Sequence, residues 1–201
     1  MKSRTYWFAF VGLALLSFGC STSDDHVSFT GTWKNVKENG ISDQKTEATV
    51  SVKVSNNRFR IESRDQDSEL IQTYDGKTFN QKTTDLPLPG STETPAPPAV
   101  TSDQKMDIQV ENLRFWKGNY GGTGIPGGQI AGRETLLYQV QENRPDSKLT
   151  GQAWVDAENK VVLKKVFTIY SSQVEQMVSK TTDECQEIHY GPVDDSAFTK
   201  P

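Results

Sequence analysis

Few side chains in this 201-residue chain are of the kinds that do chemistry, and their spacing decides what they can do. Gly122-Thr123-Gly124-Ile125-Pro126-Gly127 matches the G-x-G-x-x-G spacing of a dinucleotide loop. Such a loop needs a strand before it and a helix opening at its end, so that the helix N-terminus meets the pyrophosphate. Pro126 stands inside the motif and strand-like residues follow it, so the dinucleotide reading is set aside. Asp65-Gln66-Asp67-Ser68-Glu69 opens like a calcium loop, but Leu70 stands where glycine is needed and Gly76 where a bidentate glutamate is needed. A solvated turn accounts for it better. His26 and His189 lie far apart, and with Cys20 and Cys185 they form no zinc spacing. No G-x-S-x-G elbow is present, and Asp194-Asp195 beside His189 read as turn acids next to a terminal strand. The expectation is no catalytic residue, no metal, no cofactor and no enzyme; a hydrolase ranks third among the readings.

The elements that would carry any site must be built from a sparse apolar inventory. Hydrophobic residues make up 34% of the chain and charged residues 24%, which is close to the disorder boundary. Strong strand periodicity argues for folding, and the length suits one domain. Twenty-two basic against 26 acidic side chains give a formal charge of −4 with no basic block, so nucleic acid is not expected as a partner. Lys2 and Arg4 precede an apolar run from Tyr6 to Phe18 that ends at Gly19-Cys20. That run is too short to span a bilayer and reads as an export signal over 1–19. Residues 20–26 read as a polar tether and 27–201 as the single domain.

Within that domain the aliphatic residues alternate with polar ones. Ala48–Ser55 turns at Asn56-Asn57 into Arg58–Glu62, and Leu70–Tyr74 turns at Asp75-Gly76 into Lys77–Gln81, where Asp-Gly predicts a type I′ turn. Thr83–Lys105 holds five of the nine prolines and Gly118–Gly132 seven of the fifteen glycines, so both read as long irregular loops. Met106, Val110 and Leu113 suggest a helix over Asp103–Trp116. Strands are expected again at Arg133–Gln141, Lys148–Val155, Lys160–Tyr170, Gln173–Lys180 and Glu184–Tyr190, with a turn over Val155–Lys160. The fold class is mainly β (α+β): a curved antiparallel sheet with one or two short helices and long loops. Period-two alternation predicts one continuous concave face lined by Val50, Val52, Phe59, Ile61, Leu70, Phe79, Leu136, Tyr138 and Trp154, the candidate ligand-lining residues.

Two resemblances sharpen this reading. The basic start, the apolar run and the Gly19-Cys20 junction resemble the lipobox of bacterial lipoproteins. The resemblance implies a thioether-linked diacylglycerol on Cys20, cleavage before it, and a mature charge of −6 once Lys2 and Arg4 are gone. Cys185 would then remain as a lone thiol, expected to be buried. In the body, Ala131-Gly132-Arg133-Glu134-Thr135-Leu136-Leu137-Tyr138, Gly151-Gln152-Ala153-Trp154-Val155-Asp156 and Val193-Asp194-Asp195-Ser196-Ala197-Phe198 resemble the outer-membrane lipoprotein-sorting superfamily typified by LolA and LolB. Arg58-Phe59-Arg60-Ile61-Glu62 and Asp75-Gly76-Lys77 resemble its front hairpins. That likeness implies an incomplete β-barrel, closed by helices, whose hollow holds acyl chains of lipids or lipoproteins.

The function expected from both resemblances is a membrane-anchored, extracytoplasmic lipoprotein that binds an apolar ligand, in lipoprotein sorting or envelope maintenance. Its partners would be the membrane, through the lipid on Cys20, and a lipid or lipoprotein acyl chain. Its place would be the periplasmic face of the outer membrane in a diderm bacterium. The alternative is a structural or protein-binding envelope lipoprotein with a filled core. Two acyl chains suffice for stable anchoring where one is marginal. Labelled fatty acid is therefore expected to enter the wild type in a bacterial host, and Cys20→Ala to abolish both labelling and membrane retention.

Overall fold

The computed structural model describes residues 27–86 and 123–199, apart from 57, 144, 174 and 175. Ten strands are present: β1 (Phe29–Asn39), β2 (Lys45–Ser55), β3 (Arg58–Arg64), β4 (Ser68–Tyr74), β5 (Phe79–Asp85), β6 (Ile125–Ile130), β7 (Arg133–Asn143), β8 (Ser147–Asp156), β9 (Val162–Ser171) and β10 (Met177–Tyr190). They form one antiparallel sheet in the order β5-β4-β3-β2-β1-β10-β9-β8-β7-β6. Each half of the chain is a five-stranded meander, and the halves join where the first strand pairs with the last. The sheet is not closed, as expected of an incomplete barrel. Among the described residues the only helical piece is a 3₁₀ turn over Asp195–Phe198.

Alternation explains most of these strands, and the exceptions have local causes. Ser55 pairs with Arg58, leaving a two-residue turn in which Asn56 takes a φ of 53°. The Asp75-Gly76 turn differs from expectation. Tyr74 pairs with Phe79, so the loop has four residues, and the Asp75 carboxylate accepts hydrogen bonds from the Lys77 and Thr78 backbone N–H groups at 2.8 Å each. Asp75 caps its own loop, and only Gly76 needs a positive φ, 95°. The following strand consequently runs over Phe79–Asp85 and takes in Thr83, Thr84 and Asp85 from the expected Pro-rich loop.

The Gly-rich stretch is also corrected in part. Ile125–Ile130 is an edge strand, with a register shift between Pro126 and Gly128. Pro126 has no N–H to donate, which an edge tolerates. A Cβ at Gly127 would lie 2.9 Å from the Trp154 ring, so the glycine admits an indole that reaches across β7 from β8. The two terminal strands expected at Gln173–Lys180 and Glu184–Tyr190 are one, β10. It carries an extra residue against β1, because Thr32 pairs with Glu187 and Trp33 with Cys185. The expected export signal, Cys20 and the expected tether, the helix expected over Asp103–Trp116 and most of both expected loops lie outside the described residues.

The core sits at one end of the sheet. Phe29, Val54, Phe59, Tyr74, Phe79, Val161 and Leu163 are buried there. Phe29 meets the Trp33 and Tyr190 rings edge-on, each at 6.2 Å between centroids, and Phe59 packs on Tyr74 and Phe79 at 5.8 and 6.3 Å. Full burial of such side chains contributes about 1.5–3 kcal/mol each.

A buried charge locks the same end. Asp156 is 1% exposed. Its Oδ1 accepts from the Glu158 and Asn159 backbone N–H groups at 2.9 and 2.8 Å, and its Oδ2 from Tyr190 Oη at 2.8 Å and Arg133 Nε at 3.0 Å. Arg133 reaches Glu158 with its other arm at 2.6 Å and lies over the Tyr190 ring at 5.2 Å. Burial is the largest single influence on Asp156 and opposes its charge. The hydrogen bonds from Asn159, Tyr190, Arg133 and Glu158 together outweigh it and hold the carboxyl below the usual range. Burial, and then the Asp156 hydrogen bond, push the Tyr190 phenol far above its ordinary value. Because the folded-state pKa of Asp156 lies below the unfolded one, its contribution is complete above about pH 5 and fades as pH falls through the folded value. Asp156→Ala is expected to cost about 3–5 kcal/mol at neutral pH. Urea titrations should also find the variant losing less stability than the wild type between neutral pH and pH 2.

Candidate ligand-binding face

Strand register decides which side chains share a face, since directly paired residues point the same way. Val50 opposes Trp33 and Ser63; Val52 opposes Gly31 and Ile61; Phe59 opposes Val54 and Tyr74; Leu70 opposes Ser63; Phe79 opposes Tyr74. These six expected lining residues therefore share one face with Phe29 and Trp33. On the other half, Leu136 opposes Val155, and Tyr138 opposes Ala153, which opposes Lys165 and so joins the same face through Asp183 and Asn35. Trp154 does not join them. It pairs with Leu137 and Lys164 on the opposite side, where the Lys164 ammonium lies 5.4 Å from its ring centre.

The face is divided in two along its length. Val52, Phe59 and Phe79 belong to the packed cluster at the Phe29 end, with Val50 and Ile61 leaning on it. Tyr138, Val155 and Val162 form a separate cluster with Leu136. Towards the other end, where Asn39, Asp85, Ile125 and Met177 stand, the same face carries half-buried Leu70, Val140, Leu149, Phe167 and Ile169. A Cβ at Gly151 would lie 2.4 Å from the Phe167 ring, so the aromatic plane rests directly on backbone.

Between these regions runs a polar row that alternation had not singled out. Ala48, Asn35, Asp183, Lys165, Ala153 and Tyr138 are successive cross-strand neighbours over six strands. Asn35 Nδ2 donates to Asp183 Oδ1 at 2.5 Å, and Lys165 Nζ lies 3.3 Å from Asp183 Oδ2. The side chains of Lys165 and Asp183 are 22% and 18% exposed, so water still reaches them. Lys165 shares the parity of Phe167 and Ile169, a signal present in the sequence. Asp183 was hidden, because the extra residue in β10 shifts its phase relative to Ile188 and Tyr190.

Other chemical candidates are dispersed. Burial pushes the Cys185 thiol up to about 12, leaving it protonated and unreactive at neutral pH. His189 pairs with Glu187 at 2.8 Å on the exposed outer face. Among the described residues no three His, Cys, Asp or Glu side chains gather to hold a metal ion. A shallow, polar recess of about 470 Å³ lies on that outer face, between Thr30, Lys53, Arg60 and Glu62 and the segment 192–197. The segment is held down by buried Phe198 beneath Arg58, whose guanidinium is 4.8 Å from the ring, and by the Arg58–Asp195 ion pair at 2.7 Å.

No protein-family model and no curated protein sequence matches the chain. Solved structures similar to it include three that match over most of their length. A domain assigned to outer-membrane lipoprotein sorting in Vibrio parahaemolyticus is 8% identical, covers 85% of this chain and 88% of its own, and superposes with a TM-score of 0.35. A LolA superfamily protein of Nitrosomonas europaea is 12% identical, with coverage of 88% and 94% and a TM-score of 0.34. A DUF1329 family protein of Desulfovibrio piger is 8% identical, with coverage of 87% and 90% and a TM-score of 0.31.

Proposed function

We propose that this chain is a non-enzymatic envelope protein that receives an acyl chain, from a lipid or a lipoprotein, on the inner face of its open sheet. The observation that carries the reading is the uneven packing of that face. Its Phe29 end is filled by the protein's own aromatic and aliphatic side chains, while its other end keeps Leu70, Phe167 and Ile169 only half-buried. Half-buried apolar side chains on a wide inward surface gain about 25 cal/mol for each square ångström they lose to a ligand. A flexible hydrocarbon chain suits such a surface because it needs few fixed partners.

Anchoring through a lipid on Cys20 would hold this face beside the membrane that supplies the ligand. Sorting of lipoproteins and maintenance of the envelope are the two processes that such a carrier serves. The competing reading is an envelope protein with a filled core that acts through protein contacts; the packed Phe29 end favours it for that half of the face alone.

Displacement of a fluorescent fatty acid from the purified protein tests the choice. Saturable binding is expected, and Ile169→Asn should weaken it several-fold with the melting temperature within a few degrees of wild type. Phe29→Ala, at the filled end, should instead cost about 3–5 kcal/mol of stability. Absence of saturable binding in the wild type would favour the filled-core reading.

A further inference from the structure

The polar row on the inner face has a chemistry of its own. A charged pair placed among apolar neighbours is costly, and removing it in favour of hydrophobic residues is often neutral or stabilising. Lys165 and Asp183 therefore invite a functional account. Lys165 has three N–H donors, of which Asp183 Oδ2 engages one at 3.3 Å. Asp183 Oδ1 is engaged by Asn35, which holds the carboxylate in place beside the ammonium. Lys37 stands one step further along the same face of β1, opposite Thr181, so the central strands β1, β9 and β10 carry two ammonium groups against one carboxylate there. The other inward acids are further off: Glu142, two steps beyond Tyr138 on β7, and Asp85 on the edge strand β5.

From this geometry we infer that Lys165, positioned by Asp183 and Asn35, binds the oxygen-bearing end of an acyl chain. The inference rests on the acyl-carrier reading above and names which part of the ligand is recognised. The ammonium supplies donors to a carboxylate or ester carbonyl oxygen. The hydrocarbon then runs over Phe167, Ile169 and Leu149 towards the Asn39 end of the strands, where burial and not hydrogen bonding provides the affinity. A head placed in this row lies at the boundary with the packed cluster, which blocks the chain from running the other way. The excess of positive charge in the central strands favours an anionic head over a neutral one.

The test compares dodecanoic acid, its methyl ester and dodecane as competitors against a fluorescent acyl probe. In wild type the acid and the ester should compete at least about tenfold better than the alkane, the range of one hydrogen bond from a charged donor. Lys165→Met should erase that preference, bringing the acid and the ester to the level of the alkane, and Lys165→Arg should restore it. Asp183→Asn removes the competing carboxylate, so preference for the acid over the ester should rise. This second variant keeps the question decidable if Lys165→Met fails to fold. Equal competition by all three in wild type, or an unchanged acid-to-ester ratio in Asp183→Asn, would overturn the inference while leaving the carrier reading intact. No competition by any of them would instead overturn the carrier reading. A fatty acid and an ester lipid share this head chemistry, and the acid-to-ester ratio distinguishes which source the site prefers.

Discussion

The Asp156 carboxylate ties together three parts of the chain that no local rule brings near one another. It draws Arg133 from the start of β7, the Glu158 and Asn159 amides from the β8–β9 turn, and Tyr190 from the end of β10. Tyr190 packs edge-on against Phe29, the first residue of β1, so the C-terminal meander is locked to the N-terminal one. An ionised group this deeply buried is tolerable only with all its lone pairs engaged, and here four donors engage them. Through Tyr190 that cluster adjoins the start of the β1–β10 pairing, where Phe29 stands opposite Tyr190. The pairing of these two strands is what makes a single ten-stranded sheet from two meanders.

The inner face is uneven along this joined sheet. The aromatic side chains gather where the Asp156 cluster and the strand ends converge, and they fill that end with the protein's own atoms. Further along the strands the same face carries the Asn35–Asp183–Lys165 row and then half-buried Leu70, Leu149, Phe167 and Ile169. Among the described residues the large buried apolar side chains are concentrated at the Phe29 end. One end is packed with the protein's own side chains, and the other leaves apolar side chains half-buried. The outer face is polar almost throughout, consistent with a sheet that buries one side only.

Several elements were legible because their causes are local. Val50, Val52 and Val54 alternate with polar residues, and so do Phe59 and Ile61, so β2, β3 and their shared face follow from period two. The Val155–Lys160 turn was equally plain, since Asp156 and Asn159 are turn residues. Trp154 was misplaced because Ala153, Trp154 and Val155 are consecutive apolar residues, and parity cannot choose between the two sets. The larger indole was expected inside; pairing with Leu137 and Lys164 puts Ala153 and Val155 there instead. Ile125–Ile130 was unreadable as a strand, because Pro126, Gly127 and Gly128 all have poor strand propensity and only pairing with β7 extends them.

The sequence by itself determined the mainly β class, the antiparallel pairing of the sheet and most of the inward residues within each strand, because the side-chain period of a strand is local. Tertiary structure decided the rest. The β1–β10 pairing depends on contacts between the two ends of the domain. The phase of Asp183 depends on an extra residue in β10 whose place is defined only against β1. The meeting of Lys165, Asp183 and Asn35 depends on three strands aligned in one register. Each of these is a relation between distant segments, set by which register buries the aromatic cluster and satisfies Asp156, and no pattern within a single strand carries that information.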